Sequence, residues 1–362
     1  MITSDHRERP APPQGPPPQR RSIRLLCILC GLLASILLAL VMASVPAGVA
    51  QAQGRVSIKF ATLAPDGSSW MRQMRLLEKE IEKQTQGAVR FKFYPGGVSG
   101  DEKDVIRKMR IGQIHAAGFT GVGLGEILPE VRVLDLPFLF ENDREISYVY
   151  EKMTGYFAEA FEKKGFILLG WVPVGWVHFF SKAEVKTLED LQRTKAWMWE
   201  GDPLVQTAYQ VLGISPHPLS ITDVLMGLQT GMLETVYASP LGALALQWFT
   251  KVNYMSRIRM GNATGGVLMS RRKFDRLSPE YQTKIREYSK KYLSVLVQKI
   301  QEDNDKAIKL MMQNGLKLSP EPAPAEIERF HRLGSEIRNR LTGKLFSKTV
   351  LNKVLGYLQE VR

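Results

Sequence analysis

The run RVSIKFATLAPDGSSWMRQMRLLEKEIEKQTQGAVRFKFYPGGVSGDEKDVIRKMRIGQIHAAGFT, residues 55–120, decides the fold class. Its opening, RVSIKFATL, alternates and is β-branched, so it reads as a strand. Pro65-Asp66-Gly67-Ser68-Ser69 follows as a turn with capping residues. The spacing of Trp70, Met74, Leu77 and Ile81 then predicts a helix from about Ser69 to Gln84, ended by Gly87. AVRFKFYP is a second strand, GGVSG a glycine loop, DEKDVIRKMRIGQ a helix opened by Ser99 or Asp101, and IHAAGFT a third strand. A βαβαβ run is the signature of a parallel sheet covered by helices.

The pattern continues outward from there. GVGLG, residues 121–125, follows a strand but lacks the third glycine of a dinucleotide fingerprint, so it reads as a mobile or close-packed loop. A helix is expected from about Asp143 to Lys164. GFILLGWVPVGWVHFFS is one long apolar strand, roughly Phe166 to Ser181, broken by Gly170, Pro173 and Gly175. Such a strand can leave one domain and enter another. After it the βαβ pattern restarts with KAWMW, GDPLVQTAYQVLG, ITDVLMGLQTG and LETVYASP, which argues for a second, similar lobe. Ser278-Pro279-Glu280 opens a helix and Asn314-Gly315 closes it. A helix of that length reaches about 50 Å, enough to brace two lobes. Two more helices, about 325–341 and 346–361, complete the chain.

The amino terminus is of another kind. Residues 1–22 are proline-rich and arginine-bearing, Leu25 to Val45 is an uncharged apolar run, and Ala50-Gln51-Ala52 is a small-x-small site. That order describes a secretory signal peptide cleaved after Ala52. The run is also long enough for a retained membrane anchor. Cys27 and Cys30 both fall in this leader, so the exported chain is expected to have no cysteine chemistry. The formal charge of +13 falls to +10 without the leader, which carries five arginines against Asp5 and Glu8. The remaining basic residues are interspersed with acidic ones along helices, as in KKYLSVLVQKIQEDNDKAIK, which excludes a nucleic-acid surface and fits solvated helix faces. An anionic membrane surface is a better use of the excess.

Catalytic patterns are missing. His6, His115, His178, His217 and His331 have no second ligand at metal-binding spacing, and no nucleophile elbow, phosphate loop or zinc-protease motif occurs. No cofactor or metal is expected, and an enzyme is the least supported class.

TKAWMWEG, residues 194–201, places Trp197 and Trp199 on one face of a strand and Met198 on the other. Such a pair is core filling or a pocket wall. The surrounding segment, and above all LQTGMLETVYASPL at 228–241, resembles the substrate-binding subunits of TRAP (tripartite ATP-independent periplasmic) transporters. FYPGGVSGDEKDVIRKMRIGQIHAA, residues 93–117, DLPFLFEN, residues 135–142, and IKFATLAPDGSSW support it over nearly the whole exported chain. The resemblance implies a two-lobed α/β periplasmic-binding-protein-like fold with a hinge, a long bracing helix and a helical carboxy terminus. It implies lobe I at 53–176 with a returning segment at about 260–277, lobe II at 177–259, and bracing and terminal helices at 278–362. It further implies a periplasmic protein that delivers a small molecule to a membrane permease, with an accessory periplasmic protein as a further partner. The same fold can serve as a sensor or lipid-handling protein without a permease.

One position departs from the pattern. The family usually carries a Leu-Lys-Ile-Arg-Val-Pro strand whose arginine binds the substrate carboxylate. Here Lys195-Ala196-Trp197-Met198-Trp199 stands there, and Trp197 occupies the arginine position. Arg193, on the preceding turn, is the nearest replacement. Matched one at a time, the other ligand positions fall near Ala64 and Pro65, on Phe119 and Thr120, on Tyr237 and Ser239, and on Asn262, with Trp176 in the hinge strand. An indole has one N–H donor and no charge, so a partly hydrophobic ligand without a carboxylate at that position is expected.

Overall fold

A computed structural model describes residues 55–362. The leader, with its expected cleavage site, lies outside the described residues. Twelve strands occur among them: β1 (Val56–Ala61), β2 (Val89–Tyr94), β3 (Ala116–Thr120), β4 (Phe166–Trp171), β5 (Gly175–Ser181), β6 (Ala196–Trp199), β7 (Pro216–Leu219), β8 (Thr235–Ala238), β9 (Tyr254–Met255), β10 (Gly261–Ala263), β11 (Gly265–Ser270) and β12 (Lys317–Leu318). They form two sheets. The first has the order β2-β1-β3-β11-β4, and the second β12-β9-β5-β8-β6-β7 with β10 on β5. Strands β1, β2 and β3 run parallel, as do β6, β7 and β8, the register expected of crossovers through helices.

The first sheet is covered on both faces. On one side Phe60, Met74, Leu77, Ile81 and Val267 pack with Ile285, Leu293 and Ile300. On the other, Val105, Phe119, Phe157, Phe161 and Leu268 pack with Val350 and Leu358. The second sheet puts Phe180, Trp197, Trp199 and Val236 on one face, and Phe179, Ala196 and Met198 on the other. Period-2 alternation in AWMW thus divides the two tryptophans from Met198.

The chain crosses between the lobes where the long apolar stretch breaks. β4 and β5 are separated at residues 172–174, which contain Pro173, and they enter different sheets. The return is abrupt: β10 pairs with β5 and β11 with β3, with only Thr264 between. The helix Pro279–Gln313 spans 35 residues and serves both lobes. Its Ile285, Leu293 and Ile300 pack in the first, and its Ala307 and Met311 in the second. Between these two sets, Asn304 donates to Val174 O at 3.1 Å and accepts from Leu241 N at 2.9 Å, tying the helix to the crossing.

One expectation is corrected. GVGLG is not a loop but the start of the helix Gly121–Ile127, capped by Thr120, whose hydroxyl accepts from Val122 N at 3.2 Å. Its glycines are there for space. A Cβ at Gly123 would stand 2.5 Å from a Glu102 carboxylate oxygen, one at Gly125 2.6 Å from Arg132 Cδ, and one at Gly121 would overlap the Asp135 carboxylate.

Candidate functional site

A cavity of about 290 Å³ lies between the lobes, at the carboxyl ends of β1, β3, β6 and β8. Parallel strands leave a crevice at that edge because the chain turns away to opposite faces there. Trp197, Trp199, Tyr237, Ser239, Phe119, Thr120 and Asn262 all line it, as do Ala64 and Pro65. One expected residue, Trp176, does not, and neither does Arg193, the nearest replacement cation. Trp176 donates its indole N–H to Asp143 Oδ1 at 2.9 Å and lies under Arg259. Arg193 is exposed and paired with Asp190 at 2.6 Å.

The aromatic wall is built around Trp197. Its ring stacks on Tyr237 with centroids 4.7 Å apart and planes at 23°. Trp248 meets it edge-on at 5.2 Å, and Trp199 lies 5.9 Å away. Both indole N–H groups are answered within the protein. Trp197 donates to Leu219 O at 3.0 Å, and Trp199 to Asp101 Oδ2 at 3.0 Å. The Tyr237 hydroxyl accepts from Trp199 N at 3.2 Å, and burial, then the Asp202 charge, raises its pKa well above the usual tyrosine value. Trp197 is therefore core anchor and cavity wall at once.

Four charged residues reach the same cavity: Glu102, Arg132, Asp135 and Asp202. None was marked as a site residue by the sequence. Glu102 accepts from Thr120 N at 2.7 Å, from the Thr120 hydroxyl at 2.9 Å and from Gly123 N at 2.7 Å. Burial pushes its pKa up to about 7, against those hydrogen bonds. Arg132 Nη1 and Nη2 donate to the two Asp202 oxygens at 3.1 and 3.0 Å, and its Nε lies 2.8 Å from Asp135 Oδ2. Burial opposes the guanidinium charge, but Asp202 and Asp135 outweigh it and raise its pKa. Asp135 accepts from Thr264 N at 2.7 Å, and burial raises its pKa although Arg132 opposes this.

Little polar capacity remains. The Ser239 hydroxyl accepts from Gly242 N at 3.1 Å, and Asn262 donates to the Tyr150 hydroxyl at 2.9 Å. The Ser239 proton and the Asn262 carbonyl oxygen have no protein partner among the described residues. They suit one or two hydrogen bonds that fix a ligand's orientation, while the rings supply contact area. No cluster of metal-binding side chains occurs among the described residues. The sequence did carry one partial signal: Asp202 before Pro203 reads as a helix cap, and its oxygen does accept from Leu204 N at 2.9 Å. Its partner across the cleft had no local mark.

Comparison with known proteins agrees with this architecture. Residues 60–339 match the family described as bacterial extracellular solute-binding protein, family 7 (DctP). A solute-binding protein of Chromohalobacter salexigens is 30% identical over 43% of this chain and 47% of its own length. The 2,3-diketo-L-gulonate-binding periplasmic protein YiaO of Escherichia coli is 25% identical over 76% of this chain and 78% of its own. The chain thus spans about half of the first relative and three quarters of the second. The crystal structure of the sugar acid binding protein DctPAm of Advenella mimigardefordensis, in complex with galactonate, shares the fold with a TM-score of 0.81. It is 19% identical and covers 85% of this chain and 99% of that one. Such relatives are receptors and not enzymes. The two lobes, the cleft between them and the family match along most of the chain place it in the family of bacterial extracellular solute-binding proteins, family 7 (DctP).

Proposed function

We propose that this receptor captures an uncharged small molecule with a substantial apolar part in the interlobe cavity and delivers it to a TRAP-type permease. One observation carries the reading: each charged side chain on the cavity wall is already answered by another protein group, so the surface offered to a ligand is chiefly Trp197, Trp199, Tyr237 and Phe119. Where the resemblance puts a guanidinium, an indole stands with its N–H held by Leu219. An organic acid there would lose its hydration without gaining a cation. Ligand-binding residues in this reading are Trp197, Trp199, Tyr237, Phe119, Thr120, Ser239 and Asn262. Trp176 is set aside because it bonds Asp143 outside the cavity lining.

Mass spectrometry of the compound that co-purifies with the protein tests this. An uncharged aromatic or aliphatic compound is expected, and a small organic acid overturns the reading. Export through the leader, with cleavage after Ala52, belongs to the same proposal. Amino-terminal sequencing of the periplasmic protein checks it, and a membrane-bound chain still beginning at Met1 refutes it.

A further inference from the structure

We propose that Asp202 is a specificity residue whose carboxylate fills, from within the protein, the guanidinium fork of Arg132 that a ligand carboxylate would otherwise take. The inference rests on the cavity being the ligand site.

The geometry is that of a guanidinium holding a carboxylate. Two parallel N–H donors of Arg132 meet the two oxygens of Asp202 at 3.1 and 3.0 Å, the side-by-side arrangement Arg makes with any such group. The side chains are 6% and 1% exposed, yet both border the cavity. Asp202 is held in place independently of Arg132, because Oδ1 also accepts from Leu204 N and Val205 N at the start of the helix Pro203–Leu212. The third nitrogen of Arg132 faces Asp135 at 2.8 Å. An incoming carboxylate therefore meets a fork already occupied. It also meets two wall carboxylates, Asp135 and Asp202, against one guanidinium.

The pair also spans the two lobes. Arg132 belongs to the segment Pro129–Asp135 after β3 of the first sheet, and Asp202 follows β6 of the second. A ligand carboxylate bound to Arg132 from the second lobe's side would bridge them in the same way. Asp202 makes that bridge without a ligand, which leaves the cavity to recognise its ligand by shape and apolar surface.

The test compares hexanoate with its uncharged isostere hexanamide, by calorimetry, on the wild-type protein and on Asp202→Ser. Serine retains an oxygen that caps the helix but is too short to reach the fork. The wild type should prefer hexanamide at least tenfold. Asp202→Ser should reverse this to at least a tenfold preference for hexanoate, and adding Arg132→Met to it should abolish the gain. A folded Asp202→Ser protein that keeps the wild-type preference, or that binds neither compound, overturns the proposal. So does hexanoate binding that survives the double substitution. If Asp202→Ser does not fold, Asp202→Asn decides, since it keeps the cap and shape while removing the charge. The hexanoate to hexanamide ratio must then rise at least threefold, and an unchanged ratio overturns the proposal. Failure of hexanamide to bind the wild type counts against the apolar-ligand reading instead, while a gain of hexanoate binding in the variant would still establish the role of Asp202.

Discussion

Trp197 and Tyr237 stack at 4.7 Å across neighbouring strands of the second sheet, and both rings border the interlobe cavity. The stack joins stability to ligand recognition. Trp197→Ala should lower unfolding stability by about 3–5 kcal/mol, the range for a large buried ring. In the fraction that folds, it should weaken binding of an apolar ligand by about 1–3 kcal/mol. Denaturant titration and calorimetry on the same preparation separate the effects. Unchanged affinity in a folded Trp197→Ala protein would remove Trp197 from the site.

Glu102 gives a pH signature with a defined sign. In the folded protein it holds its proton up to about pH 7, against an ordinary value of 4.5. Between those values the folded state binds more protons than the unfolded state. Its contribution to stability is therefore full below about pH 4.5 and declines as pH rises toward 7, by at most about 3 kcal/mol. The stability difference between wild type and Glu102→Gln, measured from pH 4.5 to 8, should move in the variant's favour as pH rises. A difference that does not change with pH rules this out.

Lobe closure is expected to depend on Asp101, which stands at the N-cap position of the first-lobe helix Glu102–Arg110 while its side chain accepts from second-lobe groups. These are the Trp199 indole at 3.0 Å, the Ser220 hydroxyl at 2.7 Å and Ile221 N at 3.3 Å. Asp101→Ala leaves those donors without an acceptor and should shift the chain toward an open form. Solution scattering should show a larger radius of gyration for the ligand-free variant than for the wild type. Superimposable profiles would mean that the contact does not hold the lobes.

Much of the frame was legible because its signals are local. Ser68 and Ser278 cap the helices they were expected to open, accepting from Met71 N and Tyr281 N. The broken strand at Pro173 marked the crossing between sheets. The resemblance pointed to Trp197 as a ligand position, since alone it reads equally well as core; in the structure it packs in the core and borders the cavity. GVGLG misled because glycine disfavours helix. Tertiary packing overrides that here, the missing side chains making room for Glu102, Arg132 and Asp135. The pairing of Arg132 with Asp202 could not be read at all. The two residues lie 70 positions apart, and nothing near either names the other.

Calorimetry of the wild-type protein against two panels tests the central claim most directly. One panel holds small organic acids, including dicarboxylates, keto acids and sugar acids. The other holds uncharged aromatic and aliphatic compounds. No measurable binding is expected in the first panel. In the second, binding is expected with a negative heat-capacity change and altered tryptophan fluorescence, as burial against the wall of Trp197, Trp199 and Tyr237 requires. Tight binding of a small organic acid by the wild-type protein, with no uncharged compound bound, would contradict it.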